Sequence, residues 1–250
     1  MMEPMSKLIL VTGGSRGIGA ASARHCARLG FSVVVNYRND SAAALRVCSD
    51  IEAAGGCAVA IGADVSSDAG VAQLFESIDR ITLPLHGLVN NAGVVEPVMP
   101  FTDYSEARLR RTFDTNLLGP FLCAREAVKR MLAQNSGGAI VNVSSAAARL
   151  GSPNEFIDYA ASKGALDTFT LGLAKEFGPQ GIRVNAVRPG LINTSIHARA
   201  GDPERVERFV PQVPMRRAGE PEEVAETIAW LLTDAASYIT GALLDVAGGR

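Results

Sequence analysis

The stretch LILVTGGSRGIGAAS, residues 8–22, predicts a strand that passes into a helix through a glycine-rich turn. Its apolar start predicts a buried strand. Gly13, Gly17 and Gly19 would allow a tight turn and a close backbone approach to a pyrophosphate at the helix N-terminus. Their spacing is G-x3-G-x-G rather than G-x-G-x-x-G, so glycines that serve only the turn remain the alternative. The predicted dinucleotide contacts here are Gly13, Ser15, Arg16, Gly17, Ile18 and Gly19.

The end of the second predicted strand bears on which dinucleotide binds. It reads Asn36-Tyr37-Arg38, with no acidic residue where an NAD site would hold the ribose 2′-hydroxyl. Arg38 and Arg16 suit a 2′-phosphate instead, because guanidinium forks pair with phosphate oxygens. We therefore predict NADPH as the cofactor, with Asn36 and Tyr37 as further contacts. NAD(H) is the alternative if both arginines are ordinary surface charges.

Short apolar runs and helical patterns alternate along the rest of the chain. This alternation predicts a single α/β domain over residues 1–250, a Rossmann fold with a doubly wound, seven-stranded parallel sheet and helices on both faces. A long irregular stretch, 191–220, interrupts the rhythm and predicts a substrate lid. The predicted strands are 7–13, 32–38, 57–65, 87–93, 139–145, 182–190 and 242–249. The predicted helices are 17–29, 41–54, 68–79, 104–133, 155–177 and 221–233, with caps at Ser41 and Pro221.

The composition excludes several classes of protein. With 47% hydrophobic and 20% charged residues the chain is globular, and a net charge of −2 leaves no basic footprint for nucleic acid or a membrane surface. No apolar run is long enough for a membrane span or a signal peptide. Four scattered cysteines predict reduced, structural thiols, and three distant histidines predict no metal site. We expect a cytoplasmic protein.

The segment YAASK, Tyr159 to Lys163, lies in a predicted helix and places a phenol and an ammonium four residues apart. Residues at that spacing share one helix face, so the two groups can occupy one small space. In isolation this spacing is better explained by a neighbouring Tyr–Lys pair that is half-buried or at the surface. Its meaning depends on the other motifs.

Six motifs in the same order and spacing resemble the short-chain dehydrogenase/reductase family, and the resemblance runs from Lys7 to Gly249. The local context is similar to its glucose-dehydrogenase-like and 3-oxoacyl-reductase-like branches of uncharacterised oxidoreductases. The motifs are TGGSRGIG at 12–19, NNAG at 90–93, Asn116 in FDTNLLG, VSS at 143–145, YAASK at 159–163 and RPG at 188–190.

The resemblance implies a catalytic tetrad of Asn116, Ser145, Tyr159 and Lys163. Tyr159 would be the general acid or base and Ser145 would hold the carbonyl oxygen. Lys163 would bind the nicotinamide ribose and, with the oxidised nicotinamide, lower the pKa of Tyr159 from about 10. Asn116 would hold a water of a proton relay. Ser145 lies one residue further from the tyrosine than is usual in the family, so Ser144 stays open as the catalytic serine.

The same resemblance implies the remaining cofactor contacts. Asp64 and Val65 would bracket the adenine. The run 91–93 would border the ribose, and 189–194 the nicotinamide, although Thr194 is equally explained as a helix cap. The residues are Asp64, Val65, Asn91, Ala92, Gly93, Pro189, Gly190, Ile192 and Thr194, with Tyr159 and Lys163 shared with the tetrad.

The substrate is predicted only as a small carbonyl or alcohol. Segments 96–101, 146–156 and 191–215 would choose it, with Asn154, Glu155 and His197 as candidate hydroxyl ligands. A 3-oxoacyl-[acyl-carrier-protein] reductase is the alternative. It is weakened because Ser136 and Gln180 stand where cations for an acidic carrier would be expected. A non-catalytic NADPH-binding regulator is a further alternative, and the resemblance implies a homotetramer.

Overall fold

The computed structural model describes residues 7–250, apart from the side chain of His197. Seven parallel strands form one sheet in the order β3-β2-β1-β4-β5-β6-β7. The chain leaves β1 first toward one edge and later, through β4, toward the other, so the carboxyl ends of β1 and β4 flank a crevice. The strands are β1 Leu8–Val11, β2 Ser32–Tyr37, β3 Cys57–Gly62, β4 Leu85–Asn90, β5 Gly138–Val143, β6 Ile182–Pro189 and β7 Leu243–Val246.

Helices cover both faces of this sheet, which confirms the predicted doubly wound fold. In β1, Ile9 and Val11 pack on one helix layer, while Leu8 and Leu10 pack on the other. A strand buried on both faces needs such a continuous apolar run. The edge strand β3 is only partly buried, contrary to the expectation for every strand. The helices are α1 Gly17–Arg28, α2 Ser41–Ala53, α3 Asp68–Ile78, α4 Glu106–Phe113, α5 Gly119–Gln134, α6 Ala147–Leu150, α7 Ile157–Phe177, α8 Ile196–Arg199, α9 Arg205–Phe209 and α10 Pro221–Leu232.

Three predicted helix features need correction. The single helix 104–133 is two helices, α4 and α5, joined by a π-helical turn at Asp114–Leu118. The cap of α2 is Asp40 rather than Ser41, because the Asp40 carboxylate accepts from the Ala43 N–H at 2.9 Å. Helix α7 begins at Ile157, two residues after the predicted start. Pro221 does occupy the first turn of α10, as predicted.

Within residues 7–250, no helix is both long and apolar enough to cross a bilayer. Among the described side chains, no cluster of three or more metal-ligating groups occurs. Cys26, Cys48 and Cys123 are buried, and burial raises the thiol pKa of Cys26 and of Cys123 to about 12. Cys57 is exposed on the edge strand. None of the four cysteines is paired in a disulfide within residues 7–250.

Candidate active site

A cavity of about 840 Å³ opens at the carboxyl ends of the strands. Segment 191–220, which carries α8 and α9 between β6 and α10, forms one wall. All predicted site residues line the cavity except Gly19 and Asn116. Those that line it are Gly13, Ser15, Arg16, Gly17, Ile18, Asn36, Tyr37, Arg38, Asp64, Val65, Asn91, Ala92, Gly93, Ser145, Tyr159, Lys163, Pro189, Gly190, Ile192 and Thr194.

The glycine turn brings backbone up to the cavity. Gly13 and Gly17 have φ of +61° and +51°, a left-handed conformation that side chains rarely adopt. A Cβ on Gly13 would lie 2.9 Å from the Cα of Ala92. Gly19 has a packing role instead, because its Cβ would lie 2.4 Å from both the Asn91 amide nitrogen and the Gly13 carbonyl oxygen. The turn therefore has room for a dinucleotide phosphate, and Gly19 packs against the turn instead of lining the cavity.

Side chains at the ends of β1 and β4 hold this turn in place. The Thr12 hydroxyl accepts from the N–H groups of Asn91 and Ala92 at 3.0 and 3.1 Å. The Asn91 amide donates to the carbonyls of Thr12 and Gly13. The Asn91 side chain, predicted as a ribose contact, thus braces the turn, and sequence reasoning missed the part that Thr12 plays.

Asn36 and Arg38, at the end of β2, have different roles. The Asn36 side chain is buried and accepts from the Gly13 N–H, while its amide donates to the carbonyls of Ile61 and Ala63. It is therefore a brace and has little capacity left for a cofactor. Arg38 is exposed and pairs with the Asp64 carboxylate at 3.0 Å.

The second predicted phosphate ligand, Arg16, lies 3.9 Å from the carboxylate of Asp40, and both side chains are well exposed. Arg199 of α8 lines the same cavity. Burial lowers the pKa of Arg199, and the nearby positive charge of Arg16 lowers it further. Three guanidinium groups therefore face this end of the cavity. Arg199 carries no motif signal, and the sequence analysis did not single it out.

Three members of the predicted tetrad lie together at the opposite end. Tyr159 is half-buried beside Ser145, whose hydroxyl is its hydrogen-bond partner. The Lys163 ammonium lies 5.6 Å from the centre of the Tyr159 ring and donates to the Val143 carbonyl at 2.7 Å. Ser144 is buried, and its hydroxyl donates to the Lys163 carbonyl at 3.2 Å. Both serines line the cavity, but the hydroxyl hydrogen-bonded to the phenol is that of Ser145.

Asn116 lies behind this group, in the π-helical turn. Its side-chain oxygen accepts from the Val94 N–H at 2.8 Å, and its amide donates to the Val94 carbonyl at 2.9 Å. A Cβ on Gly93 would lie 3.4 Å from that oxygen and 3.8 Å from the Lys163 ammonium. The extra residue of a π turn is what lets Asn116 point at Val94 and Gly93.

The pKa of Tyr159 departs from the expected direction. Burial raises it, and the Ser145 hydrogen bond and the charge of Arg205 only partly oppose this. Burial also lowers the pKa of Lys163 to about 8, against the pull of Asp167. The Lys163 ammonium donates to a backbone carbonyl instead of the phenol, so the lowering of the Tyr159 pKa by Lys163 and the oxidised nicotinamide stays a prediction.

Two arginine–carboxylate pairs meet the start of α7. Arg108 of α4 donates to both carboxylate oxygens of Asp158, at 2.9 and 3.1 Å, and all four atoms are buried. Arg205 of α9 pairs in the same two-pronged way with Glu155, with 2.8 Å between Nη2 and Oε2. In both pairs the two residues are 50 positions apart in the sequence, so no local sequence pattern predicts either pair.

Side chains at the substrate end complete the cavity wall. Of the candidate hydroxyl ligands, Asn154 and Glu155 line the cavity, although Glu155 is paired with Arg205. The side chain of His197 lies outside the described part of the chain. Phe156, Phe209 and Arg250 also line this end, and sequence reasoning did not identify the last two.

Comparisons with known proteins agree with this geometry. The model of the family described as enoyl-(acyl carrier protein) reductase matches residues 13–250. The chain is 53% identical, over 97% of its length and 99% of the relative's, to the uncharacterized oxidoreductase YgfF of Escherichia coli K12. It is 42% identical to 3beta-hydroxysteroid dehydrogenase 1 of Eggerthella lenta, over 97% and 93%. The crystal structure of a short-chain type dehydrogenase/reductase from Mycobacterium marinum superposes with a TM-score of 0.92 at 32% identity, over 99% and 96%.

Proposed function

The chain belongs to the short-chain dehydrogenase/reductase family of oxidoreductases, and we propose that it transfers a hydride between NADP(H) and a small carbonyl or alcohol, with Tyr159 as general acid or base. The observation that carries the proposal is one cavity with Arg16 and Arg38 at one end and Ser145, Tyr159 and Lys163 at the other. A dinucleotide extended across it would reach both ends.

In this mechanism the nicotinamide supplies or accepts the hydride, and the chain's residues control the proton. Ser145 donates a hydrogen bond to the substrate oxygen, and Tyr159 transfers the proton to or from that oxygen. Positioned proton transfer of this kind contributes about 10²–10⁴ in rate. Lys163 orients the nicotinamide ribose. Asn116 keeps the turn at Gly93 and Val94 in place, in reach of a water that would link Lys163 to solvent.

The protonation state of Tyr159 suits carbonyl reduction. A phenol whose pKa is raised stays protonated at neutral pH, so it is ready to donate a proton to a carbonyl oxygen. Alcohol oxidation needs the phenolate, which the Ser145 hydrogen bond, the charge of Arg205 and the charge of the oxidised nicotinamide would favour. We therefore propose Tyr159 as the proton donor in carbonyl reduction near neutral pH.

The preference for NADPH rests on Arg38 and Arg16. The Arg38–Asp64 pair is exposed, and pairs of this kind contribute only about 0–1 kcal/mol, so a 2′-phosphate can replace the Asp64 carboxylate at little cost. Arg38 would then bind the 2′-phosphate, and the freed Asp64 carboxylate would accept a hydrogen bond from the adenine amino group. Segment 191–220 is proposed as the lid over the cofactor and substrate.

The test is steady-state reduction of a panel of small aldehydes and ketones with NADPH or NADH. We expect the wild type to prefer NADPH and Arg38→Asp to lose most of that preference, while Arg46→Asp, an exposed arginine outside the cavity, keeps it. Tyr159→Phe should lower kcat by about 10²–10⁴ and leave NADPH binding, followed by its fluorescence, unchanged.

Other outcomes separate the alternatives. Equal use of NADH by the wild type would make the two arginines surface charges. Unchanged kcat in Tyr159→Phe would remove the tyrosine from the chemistry. Tight NADPH binding with no turnover of any compound would favour the non-catalytic regulator.

An acyl-carrier-protein substrate has less support. The cations nearest the expected carrier positions are already engaged: Lys129 pairs with Glu126 at 2.8 Å, and Arg130 pairs with Asp79 and Glu126. Arg183 donates to backbone carbonyls, among them that of Leu231 at 2.7 Å. The basic surface that an acidic carrier needs is thus neutralised by the protein itself.

The proposed homotetramer is supported by an apolar patch on α5 and α7. Phe121 and Phe169 stack with their ring centres 3.6 Å apart, and Phe121, Leu118 and Leu171 are exposed. Exposed aromatic and aliphatic side chains on two neighbouring helices suit a contact between subunits. Sedimentation at a monomer mass would remove this part of the proposal.

A further inference from the structure

Two cations meet at the substrate end of the cavity, on one aromatic ring. The guanidinium carbon of Arg205 lies 4.6 Å from the centre of the Phe209 ring, and that of Arg250 lies 5.1 Å from it. Phe209, Arg205 and Arg250 all line the cavity. Stacking on a ring holds a guanidinium in position without neutralising its charge.

Most charged side chains at this end are paired with one another. Glu155 neutralises Arg205 through two hydrogen bonds. Asp245 pairs with Arg149 at 3.1 Å, and Arg149 also donates to the main-chain oxygen of Arg250. The Arg250 guanidinium makes no hydrogen bond or ion pair with any of the side chains described in residues 7–250. It is therefore available to a ligand, in a wall that also carries apolar side chains such as Leu150 and Phe156.

Arg250 lines the same cavity as Tyr159 and Ser145. The charge of Arg205 acts to lower the pKa of Tyr159, and the charges of Arg205 and Glu155 act in turn on Arg250. A substrate whose carbonyl oxygen meets Tyr159 and Ser145 would extend toward Arg250. One available guanidinium matches a carboxylate, whereas a phosphate dianion would call for two cations.

We propose that Arg250, held on Phe209 beside the Arg205–Glu155 pair, binds the carboxylate of the substrate, so that the enzyme acts on small oxo acids with an apolar chain. This rests on the proposed function. In the reaction, the carbonyl carbon takes the hydride of NADPH and the carbonyl oxygen takes the Tyr159 proton. The products are a hydroxy acid and NADP⁺, and solvent returns the proton to Tyr159.

The test compares two unreactive probes of equal length, hexanoate and hexanamide, in the presence of saturating NADP⁺. Their binding is measured by thermal shift and by inhibition of NADPH-dependent reduction of an uncharged aldehyde. We expect hexanoate to bind the wild type at least about tenfold more tightly than hexanamide, since a hydrogen bond to a charged group is worth about 1.5–3 kcal/mol. Consistently, 5-oxohexanoate should be reduced with a higher kcat/KM than its methyl ester.

Two variants locate the effect. Arg250→Gln should bring hexanoate and hexanamide to within about twofold of each other and leave NADPH binding unchanged. Arg208→Gln is the matched control, because Arg208 also lies over Phe209, at 5.3 Å, but pairs with Asp202 and does not line the cavity. It should keep the preference for hexanoate.

The outcomes separate this proposal from the one it rests on. Equal binding of the two probes by the wild type, or a preference for hexanoate that survives Arg250→Gln, overturns the carboxylate site, even if uncharged carbonyls are reduced with NADPH. If no carbonyl is reduced but hexanoate is preferred and Arg250→Gln abolishes the preference, the anion site stands and the proposed reaction fails.

Discussion

The two arginine–carboxylate pairs at the start of α7 have the same geometry and different surroundings. The side chains of Arg108 and Asp158 are 3% and 1% exposed, whereas those of Arg205 and Glu155 are 10% and 18% exposed. Both arginines hold a carboxylate that lies close to Tyr159 in the sequence. Only the second comes from segment 191–220.

Their environments suggest different tasks. Around the inner pair, the Thr112 hydroxyl donates to Asp158 at 3.1 Å, and Arg108 donates to the Pro97 carbonyl and lies 4.0 Å above the Tyr104 ring. Opening it would leave two charges without water, so it fixes α7 to α4. The outer pair borders the cavity, where solvent can reach both charges when they part. The first pair therefore fixes α7, while the second can part, as the proposed role of segment 191–220 as a lid requires.

The largest effect expected is on the inner pair. Arg108→Met should lower the free energy of unfolding by about 3–5 kcal/mol, because it leaves the Asp158 carboxylate buried without its counter-ion. Urea unfolding of the wild type and the variant measures this. Arg110→Met, which removes an exposed arginine paired with Glu106 on the same helix, should leave the midpoint nearly unchanged.

A small change in Arg108→Met would mean that Asp158 takes up a proton or reaches water when its partner is lost. The inner and outer pairs would then be equivalent, and the comparison would fail. Arg108→Met with Asp158→Asn distinguishes the cases, because the double variant removes the buried charge and should recover part of the loss.

A smaller effect is expected on the outer pair. Arg205→Met should cost about 2 kcal/mol at most, because Glu155 can regain hydration when α9 lifts away. The change should appear locally, as faster amide hydrogen exchange over 196–212 with unchanged protection of the sheet. KM for the carbonyl substrate should rise. Faster exchange throughout the sheet would show that the outer pair also stabilises the whole fold.

Features that depend on local backbone geometry could be predicted from the sequence, whereas contacts between distant residues could not. The glycine turn, the strand pattern and the Tyr159–Lys163 spacing were readable, because each depends on local backbone geometry that few residues satisfy. The arginine pairs were not, because each joins residues 50 positions apart and an arginine has no spacing rule. Asn36 illustrates a related limit: its position at a strand end predicts a cofactor contact, which stays a prediction, but its side chain also bonds to backbone that only the fold brings near.

The smallest effect concerns Lys163, the third buried cation of this region. Arg108 has the Asp158 carboxylate as an acceptor, whereas Lys163 donates to a backbone carbonyl, that of Val143, and nearby Asp167 already pairs with Arg188 at 2.8 Å. Burial therefore lowers the pKa of Lys163 to about 8, while in the unfolded chain it is about 10.4. Between these values the unfolded state binds more protons than the folded state, so this group makes stability rise with pH.

From pH 7.5 to 9 the free energy of unfolding of the wild type should therefore rise by about 1 kcal/mol relative to that of Lys163→Met. Denaturant unfolding of both proteins at the two pH values measures the difference, and groups common to both cancel. Tyr159, with its raised pKa, has the opposite sign but titrates only above this range. A difference that stays constant would mean that Lys163 keeps its charge throughout, as a cation with a true counter-ion does. Lys163 would then resemble Arg108 of the inner pair, which keeps its charge although it is buried.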